Sequence, residues 1–314
     1  MNHHKLCIAI LGPTASGKSA FATQLAMTIK GEILSLDSTT VYKGFDLGSS
    51  KPTTEMRSQV PHHLIDILDP MDPFSAGHFV RLADSTIEEI ASRNKVPILV
   101  GGTYFYLRAL QHGMYETPIV LPETIEAIEK EFFEEDEFNL GSLHAALKEV
   151  DPESAAQIHP NDRYRLIRAM AVYRSGKKKM SELSPVLFSE SQKSRIWMKY
   201  AITHSRHKLN QLIIDRTEQM LREGLVQETQ KLLAKYPESR ALKSIGYYEV
   251  VRLLQKQLTE KQLKNEIIEK TRQLAKRQLT WLKSDPELRY IDQRDLDRVH
   301  LEYNNLSFAL KGSA

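Results

Sequence analysis

Cysteine is nearly absent. Cys7 stands alone among 314 residues, which excludes an intramolecular disulfide and any zinc site built on cysteines. It falls within an apolar run, Leu6 to Leu11, and is expected as a buried thiol. A long apolar stretch is also lacking at the start of the chain, so neither a signal peptide nor a membrane span is expected, and the setting is read as cytoplasmic. Asn2-His3-His4 is read as a frayed terminus rather than a metal-binding tract. The chain has no strong excess of one charge: the formal net charge is +3 and the pI is near 8.7, values that alone imply nothing about nucleic acid. Distribution is more informative, because basic residues become dense after Arg163 and again after Arg272. Internal repeats and low-complexity segments are missing as well. What remains is an ordinary globular composition, 41% apolar and 26% charged, at a length that predicts one large domain with an appendage.

The strongest positive signal is Gly12-Pro13-Thr14-Ala15-Ser16-Gly17-Lys18-Ser19. It fits the phosphate-loop spacing of Gly, four residues, then Gly-Lys-Ser. The flanks agree: Leu6–Leu11 suits a buried strand, and Ala20–Ile29 carries Phe21, Leu25 and Ile29 at helical spacing. A strand, this loop and a helix point successive backbone N–H groups and a helix N-terminus at one anion. Lys18 would add a mobile positive charge, and Ser19 a hydroxyl for Mg²⁺. The chain is expected to bind a polyphosphate.

Beyond the first helix, Gly31–Ser38 reads as a second strand with the acidic Asp37 at its end. A carboxylate there would sit on the ligand-facing edge of an open α/β sheet, with a turn or helix-capping Asp as the alternative. Thr39–Thr54 looks like a long functional loop. Pro61-His62-His63-Leu64-Ile65-Asp66 lacks partners at metal-ligand spacing, so its side chains are read as loop or supporting residues. Ser75 starts a helix running to about Arg93, and Val96–Val100 is a buried strand ending in Gly101-Gly102-Thr103. The two glycines permit close approach of a ligand, and Thr103 is either a plain helix cap or a ligand contact. The order of elements indicates an α/β fold, a parallel sheet wound with helices. Two parts of nucleotide hydrolases are missing. No acidic strand follows, and Asn94-Lys95 is succeeded by Val96-Pro97 with no Asp.

From Glu116 the texture turns helical, over Glu123–Glu137, Ser142–Val150, Pro152–Ile158 and Asp162–Ser175. Residues 116–195 are therefore expected as a helical insertion without strands, dividing a core of 1–115 and 196–314. Arg165 and Arg168 lie one turn apart beside Tyr164, offering charge and a stacking surface suited to RNA, or simply a solvated face. Trp197–Ile202 can return the chain to the sheet. Helices are expected over Ser205–Glu223, stopped by Gly224, over Leu225–Lys235, from about Leu242, and over Thr259–Lys283. Arg216 lies amid apolar residues of the first, as a surface ion pair or a functional cation. The last interleaves Lys276, Arg277 and Lys283 with Trp281, a pattern suited to a phosphate backbone.

Taken in order, these stretches resemble the tRNA dimethylallyltransferase (tRNA isopentenyltransferase) family: Gly12–Ser19, Asp37-Ser38, Val41-Tyr42-Lys43-Gly44, Asp46-Leu47-Gly48, Lys51-Pro52, Gly101-Gly102-Thr103, Asn161-Asp162, Arg165, Arg168-Ala169, Ile245-Gly246-Tyr247, Lys276-Arg277-Gln278 and Trp281. The resemblance implies a P-loop-like fold and transfer of the dimethylallyl group of dimethylallyl diphosphate to N6 of the adenosine 3′-adjacent to the anticodon. It implies Mg²⁺ as cofactor and a tRNA anticodon stem-loop as partner; a monomer is the expected form, which the resemblance itself does not give. Asp37 would be the general base, with Thr103 and Arg216 as catalytic partners and Gly12–Ser19 holding the diphosphate. Against the tRNA it places Asp37, Ser38, Thr39 and Thr40; Tyr164, Arg165, Leu166, Ile167 and Arg168; Lys243, Ser244, Ile245, Gly246, Tyr247 and Tyr248; and Lys276, Arg277, Gln278, Leu279, Thr280, Trp281, Leu282 and Lys283. Departures are few: Ser49-Ser50 where Thr-Ala is usual, Thr39-Thr40 in place of other small or amide residues, Ala171 for a Glu, and Tyr248 for a basic residue. A phosphate-loop kinase would leave the basic C-terminal helices unused. An RNA-binding module switched by a polyphosphate would leave Asp37 without a role.

Overall fold

The computed structural model describes residues 5–134, 137–187 and 189–312, so the Asn2-His3-His4 tract lies outside the described residues. Two compact units emerge, Met1–Gln111 with Phe188–Ala314, and His112–Leu187.

The first unit opens with β1 (Lys5–Leu11), α1 (Lys18–Ile29), β2 (Gly31–Leu36), α2 (Thr54–Gln59), β3 (His62–His63), α3 (Ala76–Ser92), β4 (Val96–Gly101) and α4 (Tyr104–His112). The apolar runs of β1, β2 and β4 are buried along nearly their whole length, as a parallel sheet covered on both faces requires. Ser75 caps α3 by accepting the His78 N–H, and Thr53 likewise caps α2. α2 is a short helix just beyond the long loop that the sequence predicts.

The second unit comprises β5 (Met114–Tyr115), α5 (Pro122–Glu131), β6 (Phe133–Glu134), β7 (Glu137–Phe138), α6 (Leu140–Val150), α7 (Pro152–Gln157), α8 (Arg163–Gly176) and β8 (Pro185–Val186). Expectation is corrected here in two respects. The segment carries strands, since β5 pairs antiparallel with β8 and β6 with β7. The helix expected over Glu123–Glu137 stops at Glu131, and Glu135 and Asp136 lie outside the described residues. Ile128, Leu143, Leu147, Leu166, Ile167 and Met170 form this unit's own core. Ala171 is fully buried there, so the small residue suits an apolar site in which a carboxylate would need a partner.

The chain then re-enters the first unit with β9 (Arg195–Ile202), α9 (Arg206–Glu223), α10 (Leu225–Lys235), α11 (Tyr247–Leu254), α12 (Glu260–Lys283), β10 (Arg289–Ile291) and α13 (Leu296–Gly312). Ser205 caps α9 and Gly224 ends it at φ 106°, a left-handed value that glycine adopts without Cβ strain. Thr259 and Gln262 close a capping box on α12. The sheet order is β10-β9-β1-β4-β2-β3, and every neighbouring pair is parallel.

Alternate residues of β1, β4 and β9 (Ile8, Ile10, Ile98, Val100, Met198, Tyr200, Ile202) meet Phe21, Leu25 and Ile29 of α1 and Val299 of α13 in one cluster. A second cluster joins Val41, Tyr42 and Phe45 of the long loop to α9–α12 through Met220, Leu225, Leu232, Tyr247, Val250, Leu263 and Ile267. The C-terminal helices thus grip the loop that leaves β2. No helix among the described residues is long and apolar enough to cross a membrane.

Candidate active site

Strand ends in a parallel α/β sheet open a crevice at their carboxyl edge, and here that edge carries the phosphate loop after β1, Asp37 after β2 and Gly102-Thr103 after β4. The loop turns through positive φ at Ala15 (64°) and Gly17 (82°). Gly17 occupies the N-cap of α1 with no side chain to satisfy the first-turn amides, which leaves them for an anion. Side chains from distant elements hold the loop. His204 donates from Nε2 to the Ser16 carbonyl at 3.0 Å. Gln293 donates to the same oxygen at 3.5 Å. Gln278 of α12 accepts the Thr14 N–H at 2.8 Å and donates to the Gly102 carbonyl at 3.2 Å. Arg216 donates to the Thr14 hydroxyl, and Lys18 to the Pro13 carbonyl at 3.2 Å. The Ser16 hydroxyl is buried with no hydrogen-bond partner, an unmet polar group inside the cradle.

Asp37 combines its two expected readings. Its Oδ1 accepts the N–H of Thr39 at 2.7 Å and of Thr40 at 3.3 Å, an Asx turn, and the residue also faces the cavity. Oδ1 is spent on those amides, so Oδ2 is the oxygen left for a ligand. Strand end β4 is pinned to β2 by the Thr103 N–H donating to the Leu36 carbonyl at 3.3 Å. A Cβ on Gly101 would lie 2.0 Å from that oxygen, so only glycine fits the approach.

A cavity of about 1170 Å³ gathers Thr14–Ser19, Asp37–Thr40, Asp46–Thr54, Met56, Arg57, Gly101–Phe105, Arg216, Lys243–Ile245, Arg277, Gln278 and Trp281. Two cations face a single carboxylate near the loop. Enclosure by protein, with the Arg216 charge beside it, lowers Lys18 to about 8 against the opposing pull of Asp37. Burial lowers Arg216 too, and Asp37 again opposes. Burial and the Asp37 charge raise Tyr106 to about 12. Its ring packs on Phe79 with centroids 4.7 Å apart. A site that desolvates two cations around an orphan hydroxyl is arranged for an anion.

Several residues that the resemblance places against RNA have their side chains used internally. Leu166 and Ile167 are buried in the core of the second unit, while Tyr164 is 79% exposed and Arg165 exposed beside it. Arg168 donates to Thr117 at 2.7 Å. Tyr247 is fully buried with its hydroxyl on Glu228. Leu282 is buried, Leu279 packs on Leu209, Ile213 and Ile268, and Thr40 pairs its hydroxyl with Ser35 at 2.8 Å. Gln278 is committed to the loop and to Gly102. Lys243, Tyr248, Lys276, Arg277, Thr280, Trp281 and Lys283 remain exposed. Sequence reasoning missed His204, Gln293 and Glu228, whose roles arise from long-range contacts with no local pattern.

Fold and loop geometry together define an α/β protein of the P-loop kind. Residues 40–285 match the model of the IPP transferase family, and the chain belongs to that family. It is 40% identical over 316 residues to a tRNA dimethylallyltransferase of Hydrogenovibrio crunogenus, covering 98% of this chain and 96% of the relative. A crystal structure of the full-length tRNA isopentenylpyrophosphate transferase of Bacillus halodurans is similar at a TM-score of 0.69 and 32% identity, over 98% of this chain and 97% of that one. A eukaryotic dimethylallyltransferase crystallised acting on tRNA is similar at a TM-score of 0.72 and 25% identity, over 93% and 75%.

Proposed function

We propose that this IPP transferase moves the dimethylallyl group of dimethylallyl diphosphate to N6 of the adenosine 3′-adjacent to the anticodon of tRNA, releasing diphosphate. The observation that carries this reading is the meeting, in one cavity, of the phosphate loop with Lys18 and Arg216, the Asp37 carboxylate, and Arg277 and Trp281 of the basic helix α12. The adenine amine is a weak nucleophile because its lone pair is delocalised into the ring. As N6 bonds to the terminal allylic carbon, the carbon–oxygen bond to the diphosphate breaks, the oxygen keeps the electron pair, and Asp37 Oδ2 takes the amine proton. Loop amides, Lys18, Thr103 and Arg216 face the charge that grows on the departing diphosphate, and loss of one such donor typically costs about 100- to 1,000-fold in rate. A base stacked in the anticodon loop must turn out of the stack to enter the cavity.

Mg²⁺ fits the residues present. The Ser19 hydroxyl lines the cavity, and no group of three His, Cys, Asp or Glu side chains able to cage a metal occurs among the described residues. Ser19 would hold the ion, which would neutralise leaving-group charge. The exposed Tyr164 and Arg165 of α8, with Lys276, Arg277, Trp281 and Lys283 of α12, are the side chains suited to the anticodon stem-loop. A cytoplasmic monomer is the form this reading assigns to the enzyme.

The test is transfer of label from dimethylallyl diphosphate to an unmodified anticodon stem-loop with Mg²⁺. Controls are ATP in place of the prenyl donor and a loop lacking the target adenosine. Label on the adenosine-containing loop alone, lost in Asp37→Ala, is expected. Near wild-type labelling by Asp37→Ala would remove the general base. ATP turnover without prenyl transfer would make the protein a kinase.

A further inference from the structure

One wall of the cavity, residues 46–53, has no regular structure. An irregular wall keeps its shape only if its backbone amides find fixed partners. Here they find a carboxylate from a distant helix. Glu228 of α10 accepts the Asp46 N–H at 3.2 Å and the Leu47 N–H at 3.0 Å. The Tyr247 hydroxyl donates to Glu228 at 2.6 Å and accepts the Gly48 N–H at 3.1 Å. Three successive amides are thereby taken by two side chains. The fit is close, since a Cβ on Gly48 would lie 2.4 Å from the Tyr247 ring, and that ring packs edge-on against Phe45 at 4.8 Å. Farther along, Lys51 Nζ donates to the Tyr42 carbonyl and to Asp46, each at 2.7 Å, and to Asp66.

We infer that Glu228 and Tyr247 are positioning residues for prenyl transfer, holding residues 46–48 as a fixed wall of the cavity, and that Tyr247 serves this wall rather than RNA. The inference rests on the transferase reading only for its kinetic consequence; the tether itself is independent of it. Displacements of about 1 Å remote from the chemistry can cost about 100-fold in rate. The amides released here belong to Asp46, Leu47 and Gly48, which themselves line the cavity.

The experiment uses the full chain with Tyr247→Phe, Glu228→Gln and Glu228→Ala, read in three ways. Amide hydrogen exchange at residues 46–48 is expected to quicken in Tyr247→Phe and most in Glu228→Ala. Turnover is expected to fall by about 10-fold or more in Tyr247→Phe, with Glu228→Gln, which keeps an acceptor, retaining more activity than Glu228→Ala. The stem-loop Kd is expected to stay within about twofold of wild type, because the fully buried phenol offers RNA no surface. Loss of stem-loop affinity in step with turnover would put Tyr247 on the RNA and overturn the inference. So would unchanged turnover, whether or not exchange quickens. Absence of labelling by the wild-type protein would instead refute the transferase reading, with exchange at 46–48 still deciding the tether.

Discussion

Lys18 carries the clearest consequence at the scale of single residues. Its ammonium is held at about 8 by enclosure and by Arg216, so the empty enzyme loses that charge as pH rises through about 8. On the proposed function, a bound diphosphate would use that charge. Affinity for inorganic diphosphate should therefore fall between about pH 7 and about pH 9, measured by titration calorimetry. Lys18→Ala should bind more weakly throughout and show no such fall, which separates the lysine from the titration of diphosphate itself. The stability of the empty protein should move the other way. From about 8 towards the ordinary lysine value the unfolded chain binds the extra proton, so folding gains stability as pH rises through that window. A wild-type affinity that stayed level against Lys18→Ala would mean that the ammonium is not used by the anion. Arg216 and Asp37 belong to the same balance, since the Arg216 charge lowers Lys18 and the Asp37 charge raises it.

Strand ends and helix caps set where those residues stand. Gly101 closes β4 against β2 so tightly that a methyl group would sit 2.0 Å from a backbone oxygen and 2.5 Å from its carbon. Neither atom is a flexible side-chain end that could swing away. Gly101→Ala should lower stability by about 2 kcal/mol or more, visible as a lower Tm, and should reduce turnover further because Thr103 lies only two residues on. An unchanged Tm would show that the two strand ends move freely. At this scale much was legible in advance. Ser205 with Gly224, and Thr259 with its box partner, mark α9 and α12 because capping chemistry is local and repeats wherever a helix ends. The phosphate loop was legible because its spacing is its function. The three-residue strand β10 and the helix α13 left no such mark. β10 exists by pairing with β9, and α13 by packing Val299 onto the sheet, contacts that no local window contains. Tertiary burial is equally invisible to a local window. Leu166, Ile167 and Tyr247 stand in stretches that the resemblance places on RNA, yet helical periodicity turns the first two inward and a tertiary partner, Glu228, claims the third.

For the molecule as a whole, the division of labour follows from where each group lies. Every residue lining the cavity belongs to the unit formed by Met1–Gln111 and Phe188–Ala314, whereas Tyr164 and Arg165 belong to His112–Leu187. The second unit has its own core, so substitutions on its exposed helix face should not reach the phosphate loop. Arg165→Ala removes a cation whose ion pair with Asp162, at 3.4 Å and largely exposed, contributes little to folding. If that cation meets a phosphate, stem-loop affinity should weaken across sequences and the slope of log Kd against log salt should fall by about 1. Tyr164→Ala should cost about 1–3 kcal/mol of stem-loop binding if the ring stacks on a base, with little change in that slope. Both variants should keep the wild-type affinity for inorganic diphosphate. The two measurements separate the possibilities cleanly, because charge acts through salt and stacking does not. A parallel loss of diphosphate affinity would mean that the second unit completes the anion site. An unchanged salt slope in Arg165→Ala would leave α12 of the first unit as the side that meets the phosphate backbone.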